Sequence, residues 1–133
     1  MTPEGHNAEP ILVTGAAGAV GSIGRNLTEM LIAKGHRVRA LVRREDERAE
    51  ALRQLGAEVV QGDLTDLTAM HPAIAGCARV YFGMSVSSDY LTATINTAAV
   101  ARNHGVEAFV NMSQMTVTQM SITESTDLSL IHI

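Results

Sequence analysis

With 133 residues, 46% of them hydrophobic and 18% charged, the chain has the balance of a single globular core. A formal charge of -4, with no Lys/Arg cluster beyond Arg43 and Arg44, argues against a nucleic-acid partner. The opening MTPEGHNAEP has neither a basic nor an apolar leader region, and no later apolar run reaches bilayer-spanning length, so a cytoplasmic protein without a membrane partner is expected. Cys77 is the one cysteine, which rules out an internal disulfide and reads as a small buried filler. His36, His71 and His104 read as helix-end or surface residues without partners at ligand spacing, so no metal site is expected.

Five short runs rich in β-branched residues are predicted as strands: Ile11 to Thr14, Arg37 to Val42, Glu58 to Gln61, Arg79 to Met84 and Glu107 to Met112. Helical periods fill the intervals. The first places Ile23, Leu27, Met30 and Leu31 on one face and ends near Gly35. The second, Arg44 to Leu55, is charged, with Ala51, Leu52 and Leu55 turned to a sheet and Gly56 closing it. Asp66 is the expected N-cap of a third, short helix carrying Leu67, Met70 and Ile74, with Pro72 threatening its second half. The longest, from about Ser88 to His104, is predicted to turn Leu91, Ile95, Ala98 and Ala99 inward. Strand and helix alternating in this way imply right-handed crossovers and an α/β fold, a doubly wound parallel sheet with helices on both faces.

The chemistry concentrates in ILVTGAAGAVGSIGRNL, the turn from the first strand into the first helix. Gly15, Gly18, Gly21 and Gly24 recur every three residues there, in the setting a dinucleotide fingerprint requires. One glycine permits the sharp reversal, a second removes the side chain that would keep a pyrophosphate off the backbone, and a third allows close helix–strand packing. The helix N-terminus beyond them offers free N–H groups and the positive end of the helix dipole to an anion. No GK[ST] follows, which disfavours a triphosphatase loop.

On VTGAAGAVG, KGHRVRALVRR, GAEVVQGDLTD and INTAAVARNHGVEAFVNMS, the chain resembles the NmrA-like group of atypical short-chain dehydrogenases/reductases over roughly residues 11 to 113. The resemblance implies a Rossmann-like fold and an NAD(P) site, with Ala17, Ala19 and Val20 joining the glycines of the fingerprint loop. Against the family's spacing this chain carries three extra residues around Ala19 to Ile23, so either Gly21 or Gly24 takes the third glycine position. The second strand ends in Arg43 and Arg44 rather than in an acid. Guanidinium groups there can hold a 2′-phosphate, which favours NADP(H) over NAD(H), although Arg44 is equally readable as the start of a charged surface helix. The resemblance also places Asp63 and Leu64 beside the adenine, with Asp63 alternatively organising its loop, and brings Gly83, Met84 and Ser85 close to the ribose and pyrophosphate. Asn96 matches a family position that a helix-to-loop hydrogen bond explains equally well.

Ser113 falls where the resemblance puts the serine that steadies a substrate carbonyl. The Tyr-x-x-x-Lys pair of the active enzymes is absent from this sequence: Tyr81 and Tyr90 are followed four residues on by Ser85 and Thr94, and no lysine occurs after Lys34. Two expectations follow. One is an NADPH-dependent oxidoreductase acting on a small carbonyl or quinone, and the other is a non-catalytic NADP-sensing module, since the NmrA-like group includes regulators. Residues 1–10 read as a tail, 11–127 as the dinucleotide domain and 128–133 as a non-native tail, because LSLIHI is what one frame of a common transposase adapter encodes. The natural protein is accordingly expected to continue further, into a substrate-binding region.

Overall fold

The computed structural model describes residues 9–17, 23–84 and 88–112. They form β1 (Ile11–Thr14), α1 (Ile23–Ala33), β2 (Val38–Val42), α2 (Glu47–Leu55), β3 (Glu58–Gln61), α3 (Leu67–Ile74), β4 (Arg79–Phe82), α4 (Tyr90–Asn103) and β5 (Ala108–Asn111). All five strands run parallel in one sheet of order β3-β2-β1-β4-β5. The chain therefore winds outward from β1 to β3, crosses over the sheet, and winds outward again through β4 to β5. This is the doubly wound α/β fold that the alternating pattern predicts. Among the described residues no helix is long and apolar enough to cross a membrane.

β1 is central, and all four of its residues are buried. Covering both faces is what makes it a continuous apolar run rather than an alternating one. Leu12 packs on one face with Leu41, Met70, Ile74, Val80 and Val100, bringing α3 and α4 to the sheet. Val13 packs on the other with Ala40, Val42, Ala49, Leu52 and Tyr81, against α1 and α2. A fully buried Leu or Val side chain contributes about 1.5–3 kcal/mol relative to an exposed one, so these two clusters supply most of the driving force.

The helix ends follow local chemistry. Asp46 and Asp66 cap α2 and α3 by accepting from the N–H groups of Arg48 and Thr68. Gly56, at φ 106°, closes α2 in the left-handed conformation, its N–H reaching the Arg53 carbonyl. Helix α2 thus begins after Asp46, and Arg44 lies in the preceding loop rather than inside the helix. Pro72 does not break α3, which continues to Ile74.

Two helix faces differ from expectation. On α1, Ile23 and Met30 are more than half exposed, while Gly24 and Thr28 take the innermost positions. On α4, Ile95 is 55% exposed and Ala98 and Ala99 are exposed, whereas Ala93, Thr94, Thr97, Val100 and Ala101 are buried. Threonine can fill an inward stripe here because its hydroxyl bonds the carbonyl four residues back. Thr28 bonds Gly24, Thr94 bonds Tyr90 and Thr97 bonds Ala93, each at 2.8 Å, so no polar group is left without a partner. Tyr90 opens α4 fully buried, edge-on to Phe82, and donates its hydroxyl to the Met112 carbonyl at 2.9 Å.

Candidate functional site

The carboxyl ends of β1 to β4 open into a cleft of about 420 Å³, within the range of small-molecule sites. It lies where the strand order reverses between β1 and β4, since the chain leaves in opposite directions on the two sides of that gap.

The floor of the cleft is backbone. Gly15 turns sharply out of β1 at φ 76°, and a Cβ there would stand 2.7 Å from the Gly83 carbonyl oxygen. The two strand ends are held together by Thr14. Its buried hydroxyl donates to the Gly83 carbonyl at 2.8 Å and accepts from the Gly83 N–H at 2.9 Å. Gly83 is itself crowded, because a Cβ on it would meet the Tyr81 ring at 3.0 Å. Gly24, in the first turn of α1, is buried against the turn, and a Cβ on it would come within 3.0 Å of Ala16 and Gly15 backbone atoms. A side chain there would push the helix off the turn.

One wall carries the charge. Arg43, Arg44 and Arg48 line it, with Asp46 between them. Asp46 takes Arg48 through Nη2 at 2.8 Å and Nε at 3.3 Å, and this contact, chiefly, holds its carboxyl below the usual range. Arg44 is exposed and enters no ion pair among the described residues. Beside it, on the neighbouring strand, lies the loop after β3. Asp63 Oδ1 accepts from the Thr65 N–H at 2.8 Å and the Thr65 hydroxyl at 2.7 Å. These bonds, the backbone one first, lower the Asp63 carboxyl, and the Arg43 charge adds to them. Asn96 on α4 donates to the Leu64 carbonyl at 3.1 Å and so fixes this loop from behind, the helix-to-loop bond anticipated as one reading of that residue.

Gly15, Ala17, Arg43, Arg44, Asp63, Leu64, Gly83 and Met84, scattered across the sequence, therefore line one cleft. Gly18, Ala19, Val20, Gly21, Ser85 and Ser113 lie outside the described residues. Sequence reasoning missed Leu41, Asp46, Arg48, Gly62, Thr65 and Asp89, which also line it. Arg48 could have been found: a residue in the first turn of a helix leans back toward that helix's N-terminus, here toward the cleft.

His71 and His104 are not isolated, contrary to the sequence reading. His71 Nδ1 and His104 Nε2 stand 3.1 Å apart, because α3 and α4 pack side by side and bring together residues 33 positions apart in the chain. Among the described residues no group of three or more potential metal ligands gathers.

The family model described as NAD(P)H-binding matches residues 18–130. Among curated proteins, the chain is 32% identical to a 4-hydroxy-2-methyl-3-oxo-4-farnesyl-3,4-dihydroquinoline-1-oxide ketoreductase of Stigmatella aurantiaca over 110 residues, 75% of this chain and 33% of that protein. It is 40% identical to sterol demethylase protein B of Methylococcus capsulatus over 70 residues, 53% of this chain and 21% of that protein. Among solved structures, the triphenylmethane reductase of Citrobacter sp., complexed with NADP(H), aligns at 26% identity and a TM-score of 0.67 over 90% of this chain and 42% of that one. The chain thus spans between a fifth and a third of the length of these curated relatives. With its doubly wound sheet and this match, the chain belongs to the NAD(P)H-binding family of Rossmann-fold proteins.

Proposed function

We propose that the cleft binds NADP(H) in preference to NAD(H) and that the whole protein is an NADPH-dependent reductase of a small carbonyl or quinone-type substrate. The observation that carries this is the β2 tip: Arg43 and Arg44 stand in the cleft, outside any helix, with Arg48 beside them and no acid at the strand end. An adenosine ribose carrying a 2′-phosphate meets guanidinium donors there, whereas the carboxylate on that wall, Asp46, is already bonded to Arg48 and not offered to a bare ribose diol. Gly15 leaves the end of β1 without a side chain on the cleft floor, with the N-terminus of α1 following in the chain to meet the pyrophosphate. In this reading Asp63 and Leu64, which line the cleft, are assigned to the adenine, and Gly83 and Met84, at its floor, to the ribose and pyrophosphate; Ser85 follows them in the sequence. When bound, NADPH supplies a hydride. Ser113, the residue after Met112 at the end of β5, is assigned to orienting the substrate carbonyl.

The cleft geometry fits the group: a would-be Cβ at Gly15 fills the floor, and the wall facing it carries net positive charge at the β2 tip. The reductase reading draws support from a relative named as a ketoreductase and from a similar reductase complexed with NADP(H). A second reading, a non-catalytic NADP sensor, uses the same dinucleotide cleft and differs only in what the whole protein does with the bound cofactor. Calorimetric titration with NADPH and NADH tests the common ground. A charge-assisted contact contributes about 1.5–3 kcal/mol, so NADPH is expected to bind about tenfold to a hundredfold more tightly. Equal affinities, or tighter NADH binding, would remove the arginine reading. Oxidation of NADPH by the whole protein with quinone or ketone substrates then separates reductase from sensor.

A further inference from the structure

We propose that His71 and His104 form a two-imidazole site for a late first-row divalent cation, copper(II) or zinc, bridging the C-terminal ends of α3 and α4. His71 lies in the last turn of α3 and His104 caps the end of α4. Their rings meet edge-on, with centroids 5.3 Å apart and planes at 63°, and the facing nitrogens are 3.1 Å apart.

Without a metal, that spacing is a hydrogen bond in which one ring nitrogen donates and the other accepts. It is also the bite of a chelate. With metal–nitrogen bonds of about 2.0–2.1 Å, nitrogens 3.1 Å apart subtend roughly 100° at the metal, between the octahedral and tetrahedral angles. Small side-chain rotations therefore turn both lone pairs onto one cation, and the exposed setting leaves its other positions to water. Both imidazoles sit at helix C-termini, where the negative ends of two dipoles favour positive charge.

Neutral imidazole selects copper, nickel and zinc over magnesium and calcium, which take oxygen ligands. The helices run back from the cleft, so the pair sits at the amino-terminal edge of the sheet and is independent of the dinucleotide reading. Metal held there would tie α3 to α4, and because it binds the folded form it would raise the melting temperature.

The test uses the untagged chain, titrated calorimetrically with zinc chloride and copper(II) chloride and followed by thermal unfolding. The site predicts one saturable equivalent for each metal, a raised melting temperature and no response to magnesium chloride. His71→Ala and His104→Ala are each expected to weaken binding by about tenfold or more, because the second imidazole binds as an intramolecular event. A variant with His6, His36 and His132 all replaced by Ala should bind as the original does. Copper EPR should show nitrogen coupling from two imidazoles in the original chain and from one in each single variant. Absence of saturable binding, or binding that survives His71→Ala or His104→Ala undiminished, would overturn the proposal.

Discussion

Replacing Thr14 by Val keeps the shape of a buried side chain and removes the hydroxyl that joins β1 to β4. In the native chain that oxygen, on a residue 1% exposed, satisfies both the carbonyl and the N–H of Gly83. The Val methyl offers neither group a partner. Each buried orphan costs about 1–3 kcal/mol, so Thr14→Val is expected to destabilise the fold by about 2–5 kcal/mol, a large share of the 5–15 kcal/mol typical of a domain. Thr14→Ser keeps the hydroxyl and loses one methyl, about 0.8 kcal/mol. Equilibrium urea unfolding of the three proteins, with m unchanged, reads the difference. The dinucleotide should also bind more weakly to the Val variant, because the staple sets the gap between Gly15 and Gly83. A Val variant within about 0.5 kcal/mol of the parent, or a Ser variant as unstable as Val, would show that the hydroxyl does not hold the two strand ends together.

Gly15→Ala should be destabilised and lose dinucleotide binding together, since the left-handed backbone costs about 1–2 kcal/mol for a non-glycine residue and the new Cβ meets the Gly83 oxygen. Parent-like affinity, measured calorimetrically, would contradict this. The Asp46, Asp63 and Asp66 carboxyls are all held below the usual range, by the Arg48 side chain, the Thr65 backbone N–H and the Thr68 hydroxyl respectively. A depressed folded pKa gives stability that is fully present above the unfolded value of about 3.9 and is lost as pH falls through the folded value. Urea midpoints should hold from neutrality to about pH 5 and then fall, less steeply in Asp63→Asn; an unchanged slope in that variant would count against the Thr65 contact. Burial pushes the Cys77 thiol up, so an aromatic disulfide reagent at pH 8 should react slowly with the native chain and rapidly in urea. Equal rates would show the thiol to be accessible.

The strands were legible because each is a short β-branched run closed by a turn residue, and their bounds move by no more than two residues at either end. β4 stops at Phe82, beyond which the Gly83 N–H and carbonyl bond the Thr14 hydroxyl, and β5 stops at Asn111, with the Met112 N–H still reaching the Phe82 carbonyl. The phase of α4 was not legible. Apolar residues alone point to Ile95, whereas the inward face is built from Thr94 and Thr97, whose hydroxyls find partners within their own helix. The cleft could be anticipated where a motif names its residues, as at Gly15 and Arg43, and not where a side chain reaches it from a neighbouring turn, as at Arg48 and Thr65. The His71–His104 contact was hidden because it depends on how two helices pack, a fact with no short-range sequence signature.

The proposed function requires a 2′-phosphorylated dinucleotide in the cleft at the carboxyl end of the sheet. An amide and arginine-side-chain ¹⁵N NMR titration of the chain with NADP⁺, run beside NAD⁺, locates the bound molecule directly. Saturable shifts are expected at Gly15, Ala17, Gly62 to Leu64 and Gly83 with both nucleotides, with shifts at the Arg43, Arg44 and Arg48 side chains that are larger with NADP⁺. Shifts gathered at the far ends of α3 and α4, or arginine signals indifferent to the 2′-phosphate, would contradict it.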